Sequence, residues 1–229
     1  MKNTCKFLIT LVLFFGILTT AVFAEKVVFQ HGFSAGTELP KSHGSWMVKG
    51  GRLYQDSVLE PMAKINMGAA QTGMMQYEFD VRYEDGGFDD LKGGFGIHVF
   101  VDRAHDGVSW GNGNSFLLWL NYDENAIYGP SGFTGQVYKS TSPVEMELLG
   151  DFNLNMVLEY LSPKYMNYIL KVRIKIDAST GNVWIEDPTF PGYGYAFGLG
   201  EPLDTGNYVS FRTNSLSLSF DNIKISKIE

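Results

Sequence analysis

Between Ser215 and Ser226 the sequence reads SLSLSFDNIKIS, and this stretch constrains the fold more than any other. Leu216, Leu218 and Phe220 alternate with Ser215, Ser217 and Ser219, the period-two pattern of a strand with one buried face. After Phe220 the phase slips, and Ile223 and Ile225 carry the apolar pattern on odd positions. A one-residue slip turns a strand inside out unless an extra residue absorbs it. The sequence therefore predicts a β-bulge at Asp221–Asn222, with a carboxylate at the bulge.

The rest of the chain repeats the strand signature. Strands are expected over 27–33, 45–48, 52–55 and 63–67, with Lys49-Gly50-Gly51 forming a hairpin turn that needs positive φ. Trp46 is expected to anchor that hairpin in the core. From Met75 to Tyr83, Tyr77, Phe79, Val81 and Tyr83 face one side while Gln76, Glu78, Asp80 and Arg82 face the other. Leu154–Tyr160 and Tyr168–Ile176 read as an amphipathic hairpin with Lys171, Arg173 and Lys175 outward. Ser179–Asn182 turns into a strand over 183–186, and 208–213 leads into the closing strand. About a dozen short strands with frequent turns, and no helical periodicity, predict a two-sheet antiparallel β-sandwich of the jelly-roll kind.

The amino terminus follows a different rule. Lys2 and Lys6 precede an apolar run from Phe7 to Phe23 that ends at Val22-Phe23-Ala24, the layout of a secretory signal peptide cleaved after Ala24. An uncleaved membrane anchor is the alternative, since the run is only slightly short of a spanning helix. Cleavage leaves residues 25–229 as one domain without a cysteine, because Cys5 is the only one. Such a domain depends on its core rather than on disulfides, and thiolate chemistry is excluded. It carries 16 Lys and Arg against 25 Asp and Glu, a net charge of −9, which argues against nucleic acid and anionic membrane surfaces as partners. The expected location is periplasmic or extracellular, in a bacterium.

Two stretches, 94–101 and 115–122, are apolar on both faces and are expected to be the most enclosed strands. The long glycine-rich segment DRAHDGVSWGNGN, Asp102–Asn114, joins them and carries Trp110; Tyr122–Phe133 is a second loop. On the face turned away from the core, His98, Phe100 and Asp102 share one parity, and Leu117, Trp119 and Asn121 share the corresponding one. Arg212 has the parity to join them. Aromatic faces beside amides and charged groups suit a sugar, which stacks its apolar ring face and hydrogen-bonds its hydroxyls. The competing reading is that Trp119 and Phe100 fill space beneath a covering loop. The four histidines lie at no metal-ligand spacing.

The segments WMVKGGRL (46–53), YEFDVR (77–82), GNYVSFR (206–212) and SFDNIKI (219–225), in that order, resemble the concanavalin A-like lectin/glucanase superfamily, including laminin-G-like domains of bacterial secreted proteins. The resemblance implies two curved antiparallel sheets, a concave face that often binds sugars, and frequently a structural calcium ion near the chain ends. It points to Asp221 as a calcium ligand, with carbonyls near the first strand and the Gly50-Gly51 hairpin as its partners. A carboxylate that caps free amides of the bulge is the alternative role. Glu78 and Asp80 face one side about 7 Å apart, which suits a carboxylate pair for glycoside hydrolysis. The glucanase branch carries a third acid two residues on, where this chain has Arg82, so the activity is not carried over.

Three functions follow as expectations. The first is a non-catalytic, lectin-like carbohydrate-binding domain using His98, Phe100, Asp102, Trp110, Trp119, Asn121 and Arg212. The second is a structural or adhesive cell-envelope protein whose partner is protein. The third is an enzyme acting on a polysaccharide, which requires polar groups to converge in the cleft.

Overall fold

Fifteen strands make up the regular structure of the described residues, and none of these residues is helical. In chain order the strands are β1 (Glu25–His31), β2 (Ser42–His43), β3 (Trp46–Lys49), β4 (Arg52–Gln55), β5 (Ala63–Gln71), β6 (Met74–Gly86), β7 (Gly94–Val101) and β8 (Ser115–Asp123). They continue with β9 (Gly132–Ser140), β10 (Met146–Asn153), β11 (Ile169–Asp177), β12 (Asn182–Glu186), β13 (Gly194–Gly198), β14 (Gly206–Asn214) and β15 (Leu216–Ile228). This computed structural model describes residues 24–87, 93–123, 132–153, 167–190 and 192–229. The expected signal peptide and the expected strand Leu154–Tyr160 lie outside the described residues, apart from Ala24. The observed neighbours of β11 are β6 and β12.

Two antiparallel sheets face each other. One has the order β13-β12-β11-β6-β15-β4-β3, with β1 pairing the last part of β15 beyond the reach of β4. The other has the order β10-β9-β8-β7-β14-β5-β2. Their facing sides form the core, where Phe220 of β15 meets Phe211 of β14 at 4.9 Å and Phe79 of β6 meets Phe211 edge-on at 5.1 Å. Full burial of each such side chain stabilises by about 1.5–3 kcal/mol, which suits a domain without disulfides. Trp46 packs against this core beside Phe220.

The expected bulge is present. Asp221 lies opposite Asp80 and Lys224 opposite Glu78, so β15 spends one more residue than β6 over the same step. Asn222 takes the extra position at φ 50°, a region that Asn tolerates better than most residues. Leu218, Phe220, Ile223 and Ile225 consequently all point into the core. At the opposite hairpin Gly50 and Gly51 have φ values of 60° and 77°.

A second bulge corrects one expectation. Val101 pairs Tyr208 and His98 pairs Ser210, so β7 fits two residues opposite the single Val209. Phe100 sits there at φ 54°, and its ring turns into the core instead of onto the outer face with His98. Four strands also exceed the sequence pattern: β2, β9, whose residue Phe133 the sequence assigns to a loop, β10 and β13.

Candidate ligand site on the outer face of the seven-stranded sheet

The outer face of the seven-stranded sheet is set by register. One row across it runs Lys64, Arg212, Gly96, Trp119, Gln136, Asp151. The next row runs Asn66, Ser210, His98, Leu117, Tyr138, Leu148. The glycines of β7 are what let an indole lie flat on this surface. A Cβ on Gly94 would come within 2.3 Å of the Trp119 ring, and one on Gly96 within 3.0 Å of it. Trp119 thus lies across β7 and is buried, its Nε1 donating to Asn121 Oδ1 at 3.3 Å.

The segment between β7 and β8 folds back over one end of this face. Asp102 closes its base: Oδ1 accepts from the backbone amides of Arg103 (2.6 Å) and Asn114 (2.8 Å), and Oδ2 accepts from Asn114 Nδ2 (2.8 Å). Partial burial raises this carboxyl's pKa, but the bonds from Asn114 and Arg103 outweigh it and hold it below the ordinary value. Further along, the buried Asn112 side chain donates to Asn66 Oδ1 at 3.0 Å and Ser210 Oγ at 2.7 Å, while its Oδ1 accepts from His105 N at 2.8 Å. Lys64 Nζ donates to Ser109 Oγ (2.7 Å) and to Gly111 O (3.2 Å). Gly111 leaves no room for a side chain, since a Cβ there would stand 1.8 Å from Ser142 O.

At the edge of this cover, Trp110 lies over the guanidinium of Arg212, with Cζ 4.5 Å from the ring centroid, and Trp119 follows at 5.8 Å. Arg212 Nη1 donates to Trp110 O and approaches His98 Nε2 at 3.5 Å. With Nε2 as acceptor, the His98 proton belongs on Nδ1, which faces Ser115 Oγ at 3.0 Å. Burial, with Arg212 and Lys64 adding repulsion, pushes the His98 pKa well down and keeps the ring neutral. Burial next to Arg212 likewise lowers Lys64 to about 8.

His98, Trp110, Trp119, Asn121 and Arg212 therefore gather on one surface. Phe100 leaves it for the core, and Asp102 closes the loop base. Trp110 is 44% exposed, whereas Trp119 and Arg212 lie beneath the surface. Sequence reasoning missed Lys64, Asn66 and Asn112. The alternation of Lys64 and Asn66 with Ala63, Ile65 and Met67 placed them on this face, but a strand lysine ordinarily reads as solvent-facing.

The other acidic candidates lie on the outer face of the eight-stranded sheet. Glu78 pairs with Arg173 at 3.0 Å and Lys224 at 3.5 Å, and Asp80 with Lys171 at 3.6 Å and Asn222 Nδ2 at 2.8 Å. Each of the two acids thus has a base beside it, on the sheet face opposite to the aromatic site. Asp221 caps its bulge: Oδ1 accepts from Asn222 N at 2.8 Å, while Oδ2 faces Arg52 at 3.7 Å. The described residues hold no cluster of three or more His, Cys, Asp or Glu side chains. The Asp221 carboxylate thus carries the capping role at the bulge.

The two-sheet sandwich is similar in fold to solved galectin-like and lectin structures. A Bacillus subtilis protein of unknown function with a galectin-like fold superposes at a TM-score of 0.61 with 12% identity, covering 90% of this chain and 98% of that one. Lectin I from Ulex europaeus, solved with the methyl glycoside of α-L-fucose, gives 0.54 with 11% identity, covering 88% and 97%. The CBM2 module of the evolved Dit of Lactobacillus casei BL23 phage J-1 gives 0.52 with 11% identity, covering 90% and 97%. No family model matches the sequence, and a search of curated proteins returns no match.

Proposed function

We propose that this protein is an exported, non-catalytic carbohydrate-binding domain whose ligand site is the surface around Trp110, Trp119, Asn121 and Arg212. The observation that carries the reading is the half-exposed indole of Trp110, held at the edge of a buried polar layer by Arg212. An indole fixed in this way offers a flat apolar platform to a sugar ring, and the amides of Asn121 and Gln136 stand on the same face to meet its hydroxyls. The sandwich fold, shared with lectins and carbohydrate-binding modules, supports the same reading. The non-catalytic reading rests on acids that are already engaged: Asp102 closes a loop, and Glu78 and Asp80 are paired on the opposite sheet.

Binding to a glycan panel tests the proposal, with Trp110→Ala as the control. Wild type is expected to retain one class of glycan and the variant to lose at least about tenfold in affinity, which corresponds to one stacked ring at about 1.4 kcal/mol. Failure of the wild type to bind any glycan, or an unchanged affinity in Trp110→Ala, refutes the assignment.

A further inference from the structure

Arg212 is fully buried, and its guanidinium is used on one side only. Nη1 serves Trp110 O and His98 Nε2, whereas Nε and Nη2 have no hydrogen-bond partner among the described residues. Those two atoms carry the parallel N–H donors along one edge of the fork, the edge that receives a carboxylate at two points. No acidic side chain forms an ion pair with Arg212 among the described residues. Its cross-strand neighbour Lys64, also fully buried, adds a second positive charge and finds only Ser109 Oγ and Gly111 O. The acid that acts on Lys64 is Asp106, whose carboxylate accepts from Asn66 Nδ2 at 3.1 Å.

Leaving such donors unmade is costly, and removal of water from around them makes any bond they do form stronger. A water molecule on that edge meets the hydrogen bonds and leaves the charge uncompensated; a carboxylate meets both. The Arg212 guanidinium also lies beside the half-exposed indole of Trp110, on which a sugar ring would stack. We propose that this site takes acidic sugars, uronic acids in particular, with the carboxylate seated on Nε and Nη2 of Arg212. The inference rests on the carbohydrate-binding reading and names the ligand class for the same surface. The way in is past Trp110, the half-exposed cover, which sits in a segment punctuated by Gly107, Gly111 and Gly113.

The test follows the Arg212 Nε–H and the tryptophan indole N–H resonances by NMR on the mature domain. Arg212→Lys and Trp110→Ala assign the signals. The titrants are trigalacturonate, galactotriose of the same linkage as its neutral analogue, and sulfated galactotriose, all at one ionic strength. Trigalacturonate is expected to shift both sets of signals saturably and to bind about tenfold or more tighter than galactotriose, a preference lost in Arg212→Lys. Equal binding of the acidic and neutral trisaccharides overturns this inference and leaves the carbohydrate reading standing. A site that takes the sulfated sugar and refuses trigalacturonate overturns the uronic acid assignment. If none of the three moves the indoles or Arg212, the uronic acid assignment falls, and the glycan panel decides the carbohydrate reading by itself.

Discussion

The outer faces of the two sheets treat positive charge in opposite ways. On the eight-stranded sheet bases are matched to acids: Arg82 to Glu84 at 2.7 Å, Arg173 to Glu78 and to Glu186 at 2.9 Å, and Lys224 to Glu25 at 2.6 Å. Even the buried Arg52 donates to Ser219 Oγ at 2.7 Å and stands 3.7 Å from Asp221. On the seven-stranded sheet, Lys64 and Arg212 are more deeply buried and form no ion pair among the described residues. Matched pairs near water contribute little and serve solubility. A buried cation without an anion carries a desolvation penalty that packing alone does not repay. The eight-stranded face satisfies its charges with its own residues, whereas the seven-stranded face holds cations that an anion from outside the chain would complete.

The loop covering the seven-stranded face is its most sensitive element, and Gly111 is the point at which it is held. Gly111→Ala drives a methyl group into Ser142 O and Ser140 Oγ, so the segment must lift and release Asn112 and Lys64 from their partners. A loss of about 3 kcal/mol in chemical denaturation is expected. Gly150→Ala, where nothing lies within 4 Å, should change stability by less than about 0.5 kcal/mol. Equal effects at the two glycines would mean that the cover is not packed on the sheet.

The same substitution in both faces should then differ in sign. Arg52→Met strands Ser219, the carbonyl of Asp80 and the Asp221 carboxylate, and is expected to cost about 2 kcal/mol. Arg212→Met removes a charge that has no ion-pair partner among the described residues, so its cost is expected to be near zero or favourable by about 1 kcal/mol, even with Trp110 O left unbonded. Glycan binding should be lost in Arg212→Met and kept in Arg52→Met. A destabilisation by Arg212→Met equal to that of Arg52→Met removes the contrast on which the functional reading of Arg212 depends.

The fold was legible where apolar side chains change parity over enough residues to show it. The slip between Phe220 and Ile223 is followed by Ile225, so the bulge at Asp221–Asn222 left a trace. The bulge at Phe100 left none, because β7 ends at Val101 and no later residue reports the new phase. β9 escaped notice because a core position there is Gly135, which breaks the apolar series between Phe133 and Val137. Of the site, aromatic and amide residues on strands of known parity were readable. The burial of Lys64 was not, because it is produced by a loop folding back over the strand, and parity says nothing about what lies above a face.

Lys64 provides the smallest expected effect and a direct reading of that burial. Its pKa is about 8 in the folded protein, lowered by desolvation and by Arg212, against 10.5 in an unfolded chain. Between these values the unfolded state binds more protons than the folded state, so stability from this group rises with pH, starting near 8. Lys224 on the opposite face does not cancel this. Its bond to Glu25 raises its pKa, so its contribution is full below the unfolded value and fades only as pH climbs through the folded one. Buried tyrosines such as Tyr77, whose pKa is also raised, oppose the gain only once tyrosine ionises in the unfolded chain, near 10. Urea denaturation from pH 8 to 9.5 should therefore show a gain of about 1.5 kcal/mol in the wild type and a much smaller gain in Lys64→Met. A wild-type gain as small as that of the variant would place the Lys64 ammonium in water and return the seven-stranded face to an ordinary solvated surface.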